Sequence, residues 1–495
     1  MEERTSFQIT DPYVTSSDYD YMKTYWDMHD DVMGGTRTMR EAGVKYLHKQ
    51  EAETNLAWKM RLERTTLFNV LSDSIENVVS RPFAKPIIIG ENVNKKIAEW
   101  AEDIDTRGTS LHNFMAAIFD SALNYGFGHI LADYPTRRPG MTLADARRAG
   151  HRPYLIHLPT RNVIGIYEER LNGKQITSHL RIEESFIRFD RKTLNEEEVI
   201  RIKIIEPDLF QVYERVVNVK TSNGIEARTD NWILKDHGKY TFSEVPLATL
   251  RVGKHLGGHR VKPPFTDLAY KNIEHWQGGS DQRHILTRAR FAMLAASGVD
   301  LADMEKDDNN LPVVKWGPDT LLATADPQGK FYFVEARGTA IASGQTDQES
   351  MVEQMRIMGI DPLMPKTTGV ITATESGIDE AKSQSRLHKW TYAAEDTCNK
   401  ALNFIAQWDE IKDPNICTEL NKEFGIVGRA DDVKLLLELR REREIDRQTL
   451  FEELKRRGFL GAKINVEDVE DRLDSEEPDF VMIDQRKKNE NLKAA

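Results

Sequence analysis

From position 378 to 412 the chain carries no glycine or proline. Ala394, Cys398, Ala401, Ile405 and Trp408 recur there at alternating steps of four and three. That spacing places them on one face of a helix. A helix over 378–408 would span roughly 45 Å at 1.5 Å per residue, long beside the usual average of about 11–12 residues. A second helical pattern precedes it. Thr346 with Glu349 three residues on is a capping-box pair, and Met351, Met355 and Met358 follow at helical steps. Asp361-Pro362 ends this pattern, because proline disfavours helix at the residue before it. Between the two lies a segment of small, polar and β-branched residues, 361–377.

The N-terminal half alternates between helical and strand patterns. Helices are predicted at 21–33, ended by Gly34-Gly35, at 54–79 as one element with Met60, Leu67, Leu71, Ile75 and Val78 on one face, at 92–104 and at 110–125. Short apolar runs at 86–90 and 129–134 predict strands. From about 154 to 250 β-branched runs dominate, at 155–158, 163–167 and 199–205. Asn172-Gly173 and Asn223-Gly224 are hairpin-turn signals. Pro263-Pro264-Phe265 closes this region and helix returns at 267–276. Gly278-Gly279 predicts a break or kink, Ser280-Asp281 a fresh N-cap, and Ile285 to Ala296 a continuation that stops at Gly298. Strands are predicted again at 311–316, 320–324 and 330–335, then at 424–427. A charged helix is predicted over 431–457, followed by an acidic stretch and a basic tail.

The chain has 495 residues, enough for several domains, with 39% hydrophobic and 30% charged residues. This is the balance of a well-solvated folded protein. A net charge of −12 argues against a chain that grips nucleic acid across a whole face. It is compatible with one past which DNA slides. The two cysteines, Cys398 and Cys417, form no CxxC or Cys/His cluster, so neither a disulfide framework nor a zinc site is predicted. The first residues lack a basic stretch leading into an apolar run, so no export signal is expected. No apolar run approaches the roughly 18 residues of a membrane span.

Catalytic signatures are missing from the sequence. There is no P-loop, no G-x-S-x-G elbow, no H-E-x-x-H and no Rossmann fingerprint. His255 and His259 sit in a glycine-rich stretch without a helical frame or a sequence-near carboxylate. The acidic run Asp300, Asp303, Glu305, Asp307 and Asp308 lacks the glycine and the twelfth-position glutamate of a calcium loop. Asp479 with Asp484-Gln485-Arg486 lacks the lysine of a nuclease carboxylate set. The arginines at 137, 138, 147, 148 and 152 read as a solvated or subunit-facing basic segment. The expectation is a non-enzyme without cofactor or metal.

The order of parts resembles the portal proteins of tailed bacteriophages over nearly the whole chain. Local runs add to this: Tyr25-Trp26, the segment 34–40, Tyr46-Leu47, Ser280-Asp281 and the segment 450–458 are similar to one portal-like group. Gly278-Gly279 departs from a rigid stem. The resemblance implies an α+β portal fold. Its wing would be 1–264, with a β-rich part at about 154–250. A first stem helix would be 265–297 and a clip 298–345. A second stem helix and tunnel loop would fall within 346–377, the tunnel loop itself within 361–377. A long helix would return to the wing over 378–430, with a helical crown at 431–495. It further implies a homo-oligomeric ring of about twelve copies at one capsid vertex of the virion, assembled in the host cytoplasm. Partners would be the major capsid and scaffolding proteins, the terminase large subunit and head-completion or adaptor proteins. Double-stranded DNA would pass without sequence readout, and no membrane is involved. Lys366, Thr367, Thr368 and Thr372 would line the channel, and Asp300, Asp303, Glu305, Asp307 and Asp308 would face the terminase and adaptors. Twelve copies at −12 would carry about −144, which favours solubility and a low-friction channel. The competing expectations are a nucleic-acid-processing enzyme such as a nuclease, and a capsid-associated adaptor other than the portal.

Overall fold

A computed structural model of the protein describes residues 9–135, 142, 145, 148–221, 224–227, 231–239, 242–290, 293–297, 327–334, 338–359, 373–422, 424, 430–442, 444–456 and 459. The chain divides into two compact units, Met1–Leu420 and Asn421–Ala495. The larger mixes helix and sheet in an α+β arrangement.

It opens with α1, Ser17–Met33, capped by the Ser16 hydroxyl accepting from the Tyr19 N–H, and α2, Gly35–Ala42. The single helix expected over 54–79 is two, α3 at Asn55–Arg64 and α4 at Val70–Ser80. Tertiary hydrogen bonds take the backbone between them. The Arg40 guanidinium donates to Thr65 O, Leu67 N–H donates to Thr36 Oγ1, and Asn69 caps α4 while its amide donates to Val32 O. Strand β1, Ile88–Ile89, is shorter than its apolar run. α5, Lys95–Trp100, and α6, Leu111–Tyr125, follow.

β2, Phe127–Asp133, is buried nearly throughout, and pairs on one side with β3, Tyr154–Leu158. Next comes the large antiparallel sheet: β4 Val163–Leu171, β5 Lys174–Phe189, β6 Glu196–Glu206, β7 Leu209–Thr221 and β8 Gly224–Ala227, in that order, with β9 Ile233–Gly238 also on β7. Leu171 pairs with Lys174 around Asn172-Gly173, so this Asn-Gly signal sits at a hairpin end; Thr221 pairs with Gly224, and Asn223 lies outside the described residues. Asn172 and Gly173 both have positive φ, 51° and 82°, as a tight hairpin turn requires. β10, Leu247–Arg251, returns to the other side of β2, and β11, Lys254–Gly257, and β12, Arg260–Lys262, form a small hairpin beside α1.

α7, Thr266–Arg290, runs without interruption through Gly278-Gly279 and Ser280-Asp281, where a kink and a new cap were expected. Residues 293–297, expected to be helical, form β13, Met293–Ser297, paired with β14, Lys330–Val334, in register from Met293↔Val334 to Ser297↔Lys330. The expected strands at 311–316 and 320–324 lie outside the described residues. α8, Gly338–Met358, begins well before Thr346. Thr346 is mid-helix and donates to Ala342 O, so it caps nothing. α9, Ala373–Trp408, starts upstream of the expected 378 and at about 54 Å is the longest helix described. Ala394, Cys398, Ala401 and Ile405 are buried, and α9 packs on β10, β2, β3 and α6. Trp408 stands edge-on to Phe242, centroids 4.8 Å apart. β15, Thr418–Glu419, pairs with β1.

The second unit holds α10, Ala430–Arg441, and α11, Arg447–Arg456, where one helix was expected over 431–457. Asp446 accepts from Thr449 N–H, which starts α11 afresh, and Arg440 donates to Ile445 O across the break. The expected strand at 424–427 falls mainly outside the described residues.

Two buried imidazoles bear on stability. His29 on α1 lies against Thr266 Oγ1 at 3.4 Å, and His129 on β2 against Thr249 Oγ1 at 3.0 Å. Burial pushes His29 down to about 4 and His129 down to about 3. The unfolded chain protonates these rings near 6.5. Stability is therefore full above that pH and falls below it, by about 1.4 kcal/mol per pH unit per ring, until the folded values are reached. Melting temperatures measured from pH 7.5 to 5 should drop once the pH passes below about 6.5; a flat profile would contradict the assignment.

Candidate functional site

The candidate assembly element is the antiparallel pair α7 and α8, which leads in sequence to the two segments, 300–308 and 366–372, that the resemblance would place at partners and DNA. Its base is fixed by buried polar side chains. Thr266 Oγ1 donates to Pro263 O and faces His29. Asn272 is fully buried; its amide donates to Phe68 O at 2.7 Å and its carbonyl oxygen accepts from Leu71 N–H at 3.0 Å. Trp276 is fully buried beside it in sequence, and Gln277 donates to Tyr46 O.

One turn further on is an ionic anchor. Arg61 of α3, 5% exposed, makes a two-pronged pair with Glu53, both contacts 2.9 Å, and donates to His48 O. Its remaining nitrogen reaches Ser280 Oγ at 3.4 Å and Asp281 Oδ1 at 3.3 Å. Hydrogen bonds from Arg61 hold the Glu53 carboxyl below the usual carboxylate range. Ser280-Asp281, which the sequence suggests as a helix cap, is thus the receiving face of α7 for a buried guanidinium.

Gly278-Gly279 has a packing reason. A Cβ on Gly278 would lie 2.3 Å from the Gln348 amide of α8, and one on Gly344 of α8 would lie 2.2 Å from the Gln282 side chain of α7. Each helix lays a glutamine over the other's glycine, and Gln282 also donates to Ile341 O at 2.8 Å. The glycines allow close approach rather than bending the helix. At the base Met351 and Met355 are buried, while Met358 is 43% exposed. In the distal half, among the described side chains at 281–290 and 341–350, none is buried.

The sequence-predicted site residues Lys366, Thr367, Thr368 and Thr372, and Asp300, Asp303, Glu305, Asp307 and Asp308, lie outside the described residues. In sequence the first set falls between α8 and α9, the second between β13 and β14. Of the basic segment, Arg152 pairs with Asp103 at 3.0 Å and Arg148 with Asp145 at 3.8 Å. His255 meets Gly258 O, and His259 lies 3.3 Å from Glu168 Oε1, a carboxylate that sequence proximity could not supply. That carboxylate also binds Arg251 at 2.8 Å. Among the described residues no group of three or more His, Cys, Asp or Glu is placed to hold a metal ion, and no described helix is long and apolar enough to cross a membrane.

A cleft of about 700 Å³ opens between β3, α6 and the face of β5–β7. Its charges are largely matched within the chain: Lys203 with Asp133 at 2.6 Å, and Arg201 with Glu214 at 2.7 Å and Glu184 at 3.4 Å. Sequence patterns do not show this cleft, since its walls come from elements about a hundred residues apart.

Residues 264–409 match the family described as "Domain of unknown function (DUF4055)"; the match covers the α7–α8 pair and α9. No curated protein matches the chain. Among solved structures it is similar to a chain of the virion of a native gene transfer agent particle, with a TM-score of 0.37 and 12% identity, covering 80% of this chain and 88% of that one. It is similar also to a chain of the neck of the native particle computed with C12 symmetry, with a TM-score of 0.37, 12% identity and coverage of 79% and 87%. A chain of the neck of the empty particle, computed with C6 symmetry, gives a TM-score of 0.37, 12% identity and coverage of 81% and 88%.

Proposed function

We propose that this chain is the portal subunit of a tailed phage or phage-like particle. Copies form a ring at one capsid vertex, through which DNA is packaged and later leaves, and on which terminase and head-completion proteins dock. The observation that carries this reading is the α7–α8 pair. It is a two-helix arm rooted by Arg61 and Asn272, with no buried side chain described in its distal half. Helices in folded proteins draw most of their stability from tertiary packing of an apolar face. An arm that buries none of its described side chains there, Ile285 being 38% exposed, is suited to flanking by neighbouring arms. The order of elements supports the same reading: a β-rich lobe, the outgoing helix, a strand pair, the returning helix, the 360–372 segment and a long helix back into the lobe.

In this reading the ring hydrolyses nothing, takes no cofactor, and leaves the motor work to terminase. Lys366, Thr367, Thr368 and Thr372 touch passing phosphates without reading bases, and the acidic 300–308 segment faces terminase. Gold labelling of the protein in intact particles tests the assignment: one label site per capsid is expected, and label spread over the shell would overturn it. Lys366→Gln should leave ring assembly intact and alter DNA packaging or retention, since it removes a backbone contact from every copy. Unchanged packaging would remove Lys366 from the channel.

A further inference from the structure

The distal half of the large sheet is a four-stranded antiparallel ribbon, and neither of its two edges has a partner strand among the described residues. β4 pairs with β5 only as far as Val163↔Ile182. Beyond that, residues 183–189 of β5 pair with β6 alone, and among the described residues no strand covers their other side. At the opposite edge β8 pairs, among the described residues, only with β7. Both edges are apolar as well as open: Ile187 is 64% exposed, Phe189 52% and Ile225 72%. A flat, exposed, hydrophobic strand edge pairs with whatever strand it meets unless something covers it.

We propose that what covers each edge is the opposite edge of a second copy, β8 of one subunit adding to β5 of the next. The inference rests on the ring reading above and names the join that would close it. Three features select a copy of this chain over an unrelated strand. The first is direction. Along the ribbon the strands alternate, so β8 runs antiparallel to β5, and placing β8 beside the next copy's β5 continues the alternation. The second is facing. Phe189 lies opposite Glu196, Glu196 opposite Lys220, and Lys220 opposite Ile225, so Phe189 and Ile225 project from one face of the ribbon. The third is register. Setting Ile225 opposite Phe189 sets Ala227 opposite Ile187 and Glu226 opposite Arg188, whose 43% exposed guanidinium also pairs with Glu214 and Glu197 of its own copy. Apolar meets apolar on one face and opposite charges meet on the other, the pairings that stabilise adjacent strands. Each copy gives a different edge to each neighbour, so the contact is head-to-tail, the kind that closes rings when the rotation permits.

The test uses the full-length protein with Cys417, which is exposed, changed to serine, and carrying Phe189→Cys and Ile225→Cys together or singly. Both positions are exposed, so the substitutions remove no core packing. Mild oxidation followed by a non-reducing gel should give a ladder of covalent multimers from the double variant, and none from either single one. Light scattering on the same samples separates the two claims. A large assembly without a ladder overturns the edge-to-edge join and leaves the ring reading standing. A ladder that stops at dimer overturns the head-to-tail arrangement. A monomer that never crosslinks, also in the presence of capsid components, overturns both.

Discussion

Arg61→Ala is expected to destabilise the larger unit by about 3–5 kcal/mol, the usual cost of breaking a buried ion pair by removing one partner. The substitution leaves Glu53, with a side chain only 8% exposed, as a buried carboxylate without its two-pronged guanidinium. It also strips His48 O, Ser280 Oγ and Asp281 of a shared donor. The loss concentrates where α3 holds α7, so the arm should loosen together with the fall in global stability. Chemical denaturation reads the first effect and hydrogen exchange across 266–290 the second. A control separates charge from packing: Arg61→Met with Glu53→Met removes both charges and should cost far less than either charge removed alone. An alanine variant within about 1 kcal/mol of the parent would mean that the pair is not buried in solution.

Gly128→Val should come next in severity. Gly128 lies on β2 where the strand crosses α6, and a Cβ there would fall 2.4 Å from Ile118 O and 2.9 Å from Ile118 Cγ2. A backbone oxygen cannot swing aside as a side-chain tip can, so the helix must lift from the strand. β2 is the middle strand of its sheet, between β10 and β3, so the displacement spreads through the core. Overpacking of this kind costs about 3 kcal/mol, and the added branch of valine exceeds that of alanine. Gly278→Ala makes an informative contrast, because its Cβ would meet side-chain tips, the far end of Gln348 and the Met351 methyl, rather than backbone. The glycine at 128 should therefore be the costly one and that at 278 the mild one, as read from denaturation midpoints; the reverse order would contradict the packing described.

The sequence made some of this legible and hid the rest for physical reasons. The stripe on α9 was readable because Ala394, Cys398, Ala401 and Ile405 obey the helical period and all face the core. Asn172-Gly173 was readable because a tight hairpin turn constrains two residues strongly and locally. The break between α3 and α4 was not, because it is imposed by Arg40, Thr36 and Asn272, each distant in sequence from the residues it holds. Gly278-Gly279 misled for the same reason. Local propensity makes a glycine pair a helix breaker, while here the neighbour's glutamine needs the space. Thr346 and Glu349 have capping-box spacing, yet packing against α7 extends α8 upstream of them. The buried role of Ser280-Asp281 had no sequence signal, since its partner Arg61 lies 219 and 220 positions away.

The central claim is that copies of this chain make a ring. It is tested most directly by the mass of the purified full-length protein from light scattering, with negative-stain images of the same sample. The account predicts a particle of about ten to fourteen copies with a central hole. A monomer or dimer that also fails to assemble when mixed with capsid components would contradict it.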